Sequence, residues 1–96
     1  MEIIYRVEYH SLVVHHDIPA LDATWRTAIK DAIEKKLMVS PAVFGKLLRR
    51  SLKGYRKLRV GDYRVVFRLE DTTIKILVIQ HRKIAYQQAV QRVSAG

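Results

Sequence analysis

The dipeptide Gly61-Asp62 restricts the fold of this chain more than any other feature, because it separates two runs in which apolar and basic residues alternate. A two-residue loop with glycine first suits a type II′ turn, whose twist matches that of a pair of antiparallel strands. The turn fixes the register. Val60 then faces Tyr63, Arg59 faces Arg64, Leu58 faces Val65 and Lys57 faces Val66, and opposed residues project from the same side of a sheet. Leu58, Val60, Tyr63, Val65, Phe67 and Leu69 form an apolar side, while Lys57, Arg59, Arg64 and Arg68 gather on the other. Two arginines held directly opposite repel each other unless an anion lies across them. A polyanion is therefore the expected ligand.

The charge distribution supports this expectation. The chain has 96 residues and a formal net charge of +9, but residues 1–44 sum to −1, residues 45–69 to +8 and residues 70–96 to +2. Such concentration favours a nucleic acid or an acidic protein as partner. With about half its residues apolar, the chain is long enough for one core, so residues 1–96 are read as a single domain. No apolar run approaches the roughly 18 residues that span a bilayer, and no basic-then-apolar leader opens the sequence, so a soluble cytoplasmic protein with no membrane partner is expected. The absence of cysteine excludes disulfides, a thiolate nucleophile and a cysteine-based zinc site.

Elsewhere, Glu2 to Tyr9 alternates with the period of a half-buried strand. A short helix is expected from Ser11 to about Ile18, with Pro19 disrupting any regular continuation. Asp22 can cap a helix running to about Leu37, along which Leu21, Trp25, Ile29, Ile33 and Leu37 make an apolar stripe. Ser40-Pro41 begins a helical turn to Phe44, and Gly45 releases it. Strands follow at about Tyr55–Val60, Tyr63–Leu69 and Thr73–His81, the last two closed by Asp71-Thr72. If that loop has two residues, Arg68 opposes Lys75, Arg64 opposes Ile79, and His81 ends on the face of Lys57 and Arg64. A helix from Lys83 to Val93, with Tyr86, Val90 and Val93 on one stripe, completes an α+β chain of order β, α, α, β, β, β, α.

Arginine suits phosphate recognition because its planar fork holds two oxygens and stays charged. Arg49, Arg50, Lys53 and Arg56 extend the cationic face upstream, although a solvated basic surface would explain them too. His10, His15 and His16 lack a metal-ligand spacing, so no metal or other cofactor is expected. His81 precedes Arg82 and either donates to a phosphate or shuttles a proton, or is a strand-end histidine satisfied by backbone. Tyr86 is either a core anchor or a hydroxyl reaching a cleft, whereas Trp25 and Phe44 are read as packing residues. No glycine-rich phosphate loop, Ser-His-Asp order or carboxylate pair occurs, and Asp62 is accounted for by the turn.

The run Leu52-Lys53-Gly54-Tyr55-Arg56-Lys57-Leu58-Arg59-Val60-Gly61-Asp62-Tyr63-Arg64-Val65-Val66-Phe67, then Ile76-Leu77-Val78-Ile79-Gln80-His81-Arg82 and Tyr86, resembles the RelE/ParE toxin superfamily, in particular its RelE-like branch. Phe44-Gly45-Lys46-Leu47 is similar as well. The resemblance spans nearly the whole chain and implies a small twisted antiparallel sheet of about four strands, with helices packed against it and a concave basic face. It implies the toxin half of a type II toxin–antitoxin pair: an mRNA interferase that cleaves message on the ribosome without a metal, by attack of a 2′-hydroxyl on the adjacent phosphate. Carried over by position, Lys57 matches a general base, Arg64 and Arg49 match phosphate-stabilising arginines, Arg82 matches a cation near the leaving group, and Tyr86 matches the residue that orients the nucleotide. Lys53, Arg56, Arg59, Arg68 and His81 are expected to bind RNA phosphates. Members with a glutamate base place it soon after the glycine-lysine pair, whereas here Gly45-Lys46 leads to Leu47 and Leu48.

The implied partners are an acidic cognate antitoxin, the ribosome and mRNA, with operator DNA reached only through the antitoxin complex. Two other readings stay open: a ParE-like toxin that inhibits DNA gyrase, and a nucleic-acid-binding module without catalysis. Lys57, Arg64, Arg82 and Tyr86 together favour the nuclease.

Overall fold

The structure, a computed structural model, describes residues 3–95; the expected strand start at Glu2 lies outside them. Strand β1 (Arg6–Tyr9) leads into a wide π-type turn (Val13–Asp17) and a short helix α1 (Ile18–Ala20). Pro19 does not prevent this helical run. The Ile18 amide bonds back five residues to the Val13 carbonyl, and the chain turns extended at Leu21, so the proline limits the helix where it was about to end. The Asp22 side chain then accepts the Trp25 amide at 2.9 Å and caps α2 (Ala23–Ala32), which continues as a π-type segment to Leu37. Helix α3 (Pro41–Phe44) precedes a two-residue strand β2 (Lys46–Leu47) and a 3-10 turn (Arg50–Leu52). Strands β3 (Tyr55–Val60), β4 (Tyr63–Glu70) and β5 (Thr73–His81) follow, and helix α4 (Ala85–Ser94) ends the described chain.

The fold is α+β, built on one five-stranded sheet of order β1-β5-β4-β3-β2. This is one strand more than expected, since β2 is too short to leave a periodic signal. The sheet is also not wholly antiparallel: β1, at one edge, runs parallel to β5. Within the β3–β4 hairpin every pairing expected from the turn is present, including Arg59 with Arg64. Gly61 alone of the two turn residues has a positive φ, +56°, as a type II′ turn requires.

The β4–β5 pairing departs from expectation at one residue. Phe67 pairs with Ile76 and Val66 with Val78, leaving Leu77 as an extra residue in a β-bulge. Arg68 opposes Lys75 as anticipated, but beyond the bulge Arg64 opposes Gln80, not Ile79. Packing shows the change of parity directly. One face of the sheet buries Leu58, Val65, Phe67, Ile74, Ile76 and Ile79 against the α1–α2 layer, with Ile29, Ile33 and Leu37 opposite. The other face buries Val66, Leu77 and Val78 against Leu52, Ala85 and Ala89. Leu77 and Val78 are consecutive yet belong to the same layer, as only a bulge permits. Helix α4 also sits one residue off its expected stripe. Ala85, Ala89 and Arg92 are its buried residues, while Tyr86 and Val90 are half-buried and Val93 is exposed. No helix among the described residues is long and apolar enough to cross a membrane.

Candidate functional site: a cationic sheet face beside helix α4

Alternation along β2, β3 and β4 brings cations to the α4 side of the sheet. Lys46 opposes Lys57 across β2 and β3, Arg59 opposes Arg64 across β3 and β4, and Gln80 stands opposite Arg64 on β5. Tyr86, in the first turn of α4, leans over this face, and the Lys57 ammonium lies 5.7 Å from the centre of its ring, a cation–π contact. Among the described residues no carboxylate comes within ion-pair distance of Lys46, Lys57, Arg59 or Arg64. Repulsion across the face is thus unrelieved by the protein itself, and an anion bound there relieves it.

The hairpin turn fixes how Arg64 presents its charge. Its Nη1 donates to the carbonyls of Gly61 and Tyr63, both at 2.9 Å, so one arm of the guanidinium is held against the turn. The Arg82 amide donates to the Asp62 carbonyl at 2.8 Å and joins the β5–α4 connection to the same tip. Arg82 is exposed there, at the end of the sheet where Arg64 is anchored. Arg49 and Lys53 are exposed on the connection between β2 and β3, at the sheet edge that carries Lys46.

Three residues expected on this surface are placed otherwise. The bulge at Leu77 turns His81 to the opposite face, where it pairs with Tyr63 and meets its ring edge-on at 5.7 Å. Its Nδ1 accepts the Lys83 amide at 3.2 Å, so the backbone-satisfied alternative describes it. Arg56 also points away from Lys57, as alternation demands. Its Nη1 donates to the carbonyls of Gly45 at 2.9 Å and Ala42 at 3.4 Å, tying α3 and β2 to the sheet. Arg68 does share the face of Lys57, but it lies in a separate row with Tyr55 and Lys75. Glu70 sits 4.0 Å from Arg68 and 2.7 Å from Lys75, so this row carries its own counter-charge. Of the two aromatics expected to pack, Trp25 stacks on Tyr63 with ring centres 4.8 Å apart, whereas Phe44 is exposed beneath Lys36.

A buried ion pair that no sequence pattern announces lies next to the site. Asp17 and Arg92, 1% and 6% exposed, meet through two parallel bonds, Nη1 to Oδ2 at 2.7 Å and Nη2 to Oδ1 at 2.8 Å. Asp17 also accepts the Ile79 amide at 2.9 Å and the Gln80 side-chain amide at 2.7 Å. Arg92 donates in turn to the Leu77 carbonyl at 2.9 Å, at the bulge itself. Burial by itself would raise the Asp17 carboxyl, but hydrogen bonds from Arg92 and the Ile79 amide, the Arg92 charge and the His16 contact together hold it below the usual carboxylate range. The partners are 75 residues apart in the chain, and no local pattern connects them. Lys46 and Gln80 were overlooked for simpler reasons: β2 is only two residues long, and the parity of Gln80 depends on the bulge.

Residues 14–86 match the family described as ParE toxin of type II toxin-antitoxin system, parDE, and the chain belongs to that family, within the RelE/ParE superfamily. Among individual relatives, Toxin RelG of Mycobacterium tuberculosis is 42% identical over 50 residues, which are 50% of this chain and 58% of RelG, a little over half of that toxin's length. A chain of the toxin–antitoxin complex RelBE2 from the same organism superposes with a TM-score of 0.77 at 32% identity, covering 83% of this chain and all of that one. Toxin RelE of E. coli, solved as a mutant in the free state, shares the fold with a TM-score of 0.71 at 20% identity, over 94% of this chain and 98% of its own. The superfamily resemblance carried by the Leu52–Phe67 run is therefore correct, and the family to which the chain belongs is one of toxins of type II toxin–antitoxin systems.

Proposed function

We propose that this toxin is a metal-independent, ribosome-dependent mRNA endoribonuclease, acting in the cytoplasm as the single domain formed by residues 1–96. The observation that carries the proposal is the grouping of Lys57, Arg59, Arg64 and Tyr86 on one face, with no carboxylate of the described residues within ion-pair distance of the three cations. Cleavage requires a base for the 2′-hydroxyl, positive charge where phosphorus becomes more anionic, and a proton or cation for the departing 5′-oxygen. Lys57 takes the hydroxyl proton, Arg64 with Arg49 holds the phosphate oxygens, Arg82 serves the leaving group at the hairpin tip, and Tyr86 stacks on or hydrogen-bonds the nucleotide. Arg59, Lys53 and Lys46 extend the phosphate track.

The partner that silences the site is an acidic cognate antitoxin, a reading supported by the relative solved as a toxin–antitoxin complex; operator DNA is contacted through that complex. The ParE family match favours a second reading, inhibition of DNA gyrase without RNA cleavage. A translation extract supplied with purified toxin separates the two: codon-positioned cuts in ribosome-bound message support the nuclease, and loss of supercoiling supports the gyrase inhibitor. Lys57→Ala should lower cleavage about a hundredfold or more, the usual contribution of a positioned base, while ribosome binding persists. An unchanged cleavage rate rejects the assignment.

A further inference from the structure

The Asp17–Arg92 pair lies outside the cationic face but is joined to it by two routes. Through one oxygen, Asp17 fixes the Gln80 amide, and Gln80 stands directly opposite Arg64. Through Arg92 it fixes the last turn of α4, the helix whose first turn sets Tyr86 over Lys57. Arg92 further holds the carbonyl of Leu77, the bulge residue that brings Gln80 into line with Arg64. Stability alone does not call for such an arrangement, because well-packed apolar residues of similar volume commonly replace a buried ion pair without loss. An ion pair with two fixed bonds supplies direction, which an apolar contact lacks.

We infer that Asp17 and Arg92 are positioning residues for the cationic site, setting α4, and with it Tyr86, against Lys57 while aligning Gln80 with Arg64. The inference builds on the proposed nuclease activity. Neither residue touches the reacting atoms. Their effect falls on turnover, since a misplacement of about 1 Å costs roughly a hundredfold in rate when the reacting groups must be aligned.

The test uses the full chain with ribosomes and message, and compares wild type with the double variant Asp17→Asn/Arg92→Met and with Gln80→Ala. The double variant removes both charges at once and avoids stranding either. A positioning role predicts a double variant that melts near wild type yet turns over roughly a hundredfold more slowly with little change in KM. A double variant that melts and cleaves like wild type overturns the inference. If the double variant fails to fold, Gln80→Ala decides: a folded protein with reduced turnover supports the inference, and one with unchanged turnover overturns it. If wild type itself does not cut message, the nuclease reading falls, and hydrogen exchange then reads the positioning role separately. Faster exchange in the first turn of α4 of a folded Arg92→Lys variant supports it, and wild-type exchange there overturns it.

Discussion

Replacing Gly61 with alanine tests the hairpin on which both the fold and the site depend. Two costs combine. Gly61 has φ +56°, a conformation that costs an L-residue about 1–2 kcal/mol. A Cβ built there lies 2.5 Å from Cη2 and 2.8 Å from Cζ3 of Trp25, well inside contact distance, and overpacking of this kind costs about 1–3 kcal/mol. The Trp25 ring is not free to swing aside without loss, because it packs on Tyr63 with centroids 4.8 Å apart and covers the buried cluster of the α1–α2 layer. The sum, about 2–5 kcal/mol, is a large part of the roughly 5–14 kcal/mol expected for a domain of this length. At about 4–8 °C per kcal/mol the melting temperature of Gly61→Ala should fall by at least about 8 °C, and Trp25 emission should shift because this is the only tryptophan. The two costs separate in a double-mutant cycle. In a Trp25→Leu background only the backbone cost of about 1–2 kcal/mol should persist. A Gly61→Ala protein that melts within about 2 °C of wild type, or one whose cost is the same in both backgrounds, would refute this account of the turn. The consequence reaches the site, since the Gly61 carbonyl is one of the two that anchor Arg64.

Other outcomes follow from how individual charges are compensated. Arg56→Ala, which releases the Gly45 and Ala42 carbonyls, should lower the unfolding free energy measured by urea denaturation by about 1–3 kcal/mol while leaving RNA affinity in filter binding unchanged. The Asp17 carboxyl titrates below its unfolded value, so its contribution to stability is complete above the unfolded value and is lost as pH falls through the folded one. Wild-type melting temperature, followed by circular dichroism, should therefore drop steeply below about pH 4. Asp17→Asn should be about 3–5 kcal/mol less stable at neutral pH, with Arg92 left buried beside it, and should show a flatter acid limb. In salt titrations of single-stranded RNA binding, Arg59→Gln should reduce the slope by about 0.7, as loss of one phosphate contact requires. Arg68→Gln should leave that slope unchanged, because Glu70 already faces Arg68.

Local signals proved most reliable where one element contained both the cause and its effect. The II′ turn and the register of β3 with β4 depend on adjacent residues, and all six pairings follow from Gly61-Asp62. Asp22 likewise caps the helix whose stripe it precedes. Information failed where the cause lay elsewhere in the chain. Nothing near Leu77 in the sequence announces a bulge, since Ile76, Leu77, Val78 and Ile79 are all apolar and alternate equally well in either parity. The groups that engage the bulged strand come from far along the chain: Arg92 reaches the Leu77 carbonyl from α4, and Asp17 occupies the Ile79 amide from the first helical segment. Arg92 and Asp17 carry no local signal of this pairing, because their meaning exists only in each other's presence.

That single extra residue also decides which chemistry the face can offer. Without the bulge, His81 would stand on the face of Arg64 and supply an imidazole there. With it, the facing side chain is Gln80, a group that hydrogen-bonds but does not titrate, while the imidazole meets Tyr63 on the far side of the sheet. The proposed reaction must then draw its base from Lys57 and its charge from arginines. This places the burden on alignment, because a fixed lysine beneath a tyrosine ring and an arginine tied to a turn act only when the substrate is brought to them. A face of this kind suits a substrate already extended and held by a larger machine, as the proposed action on ribosome-bound message would supply.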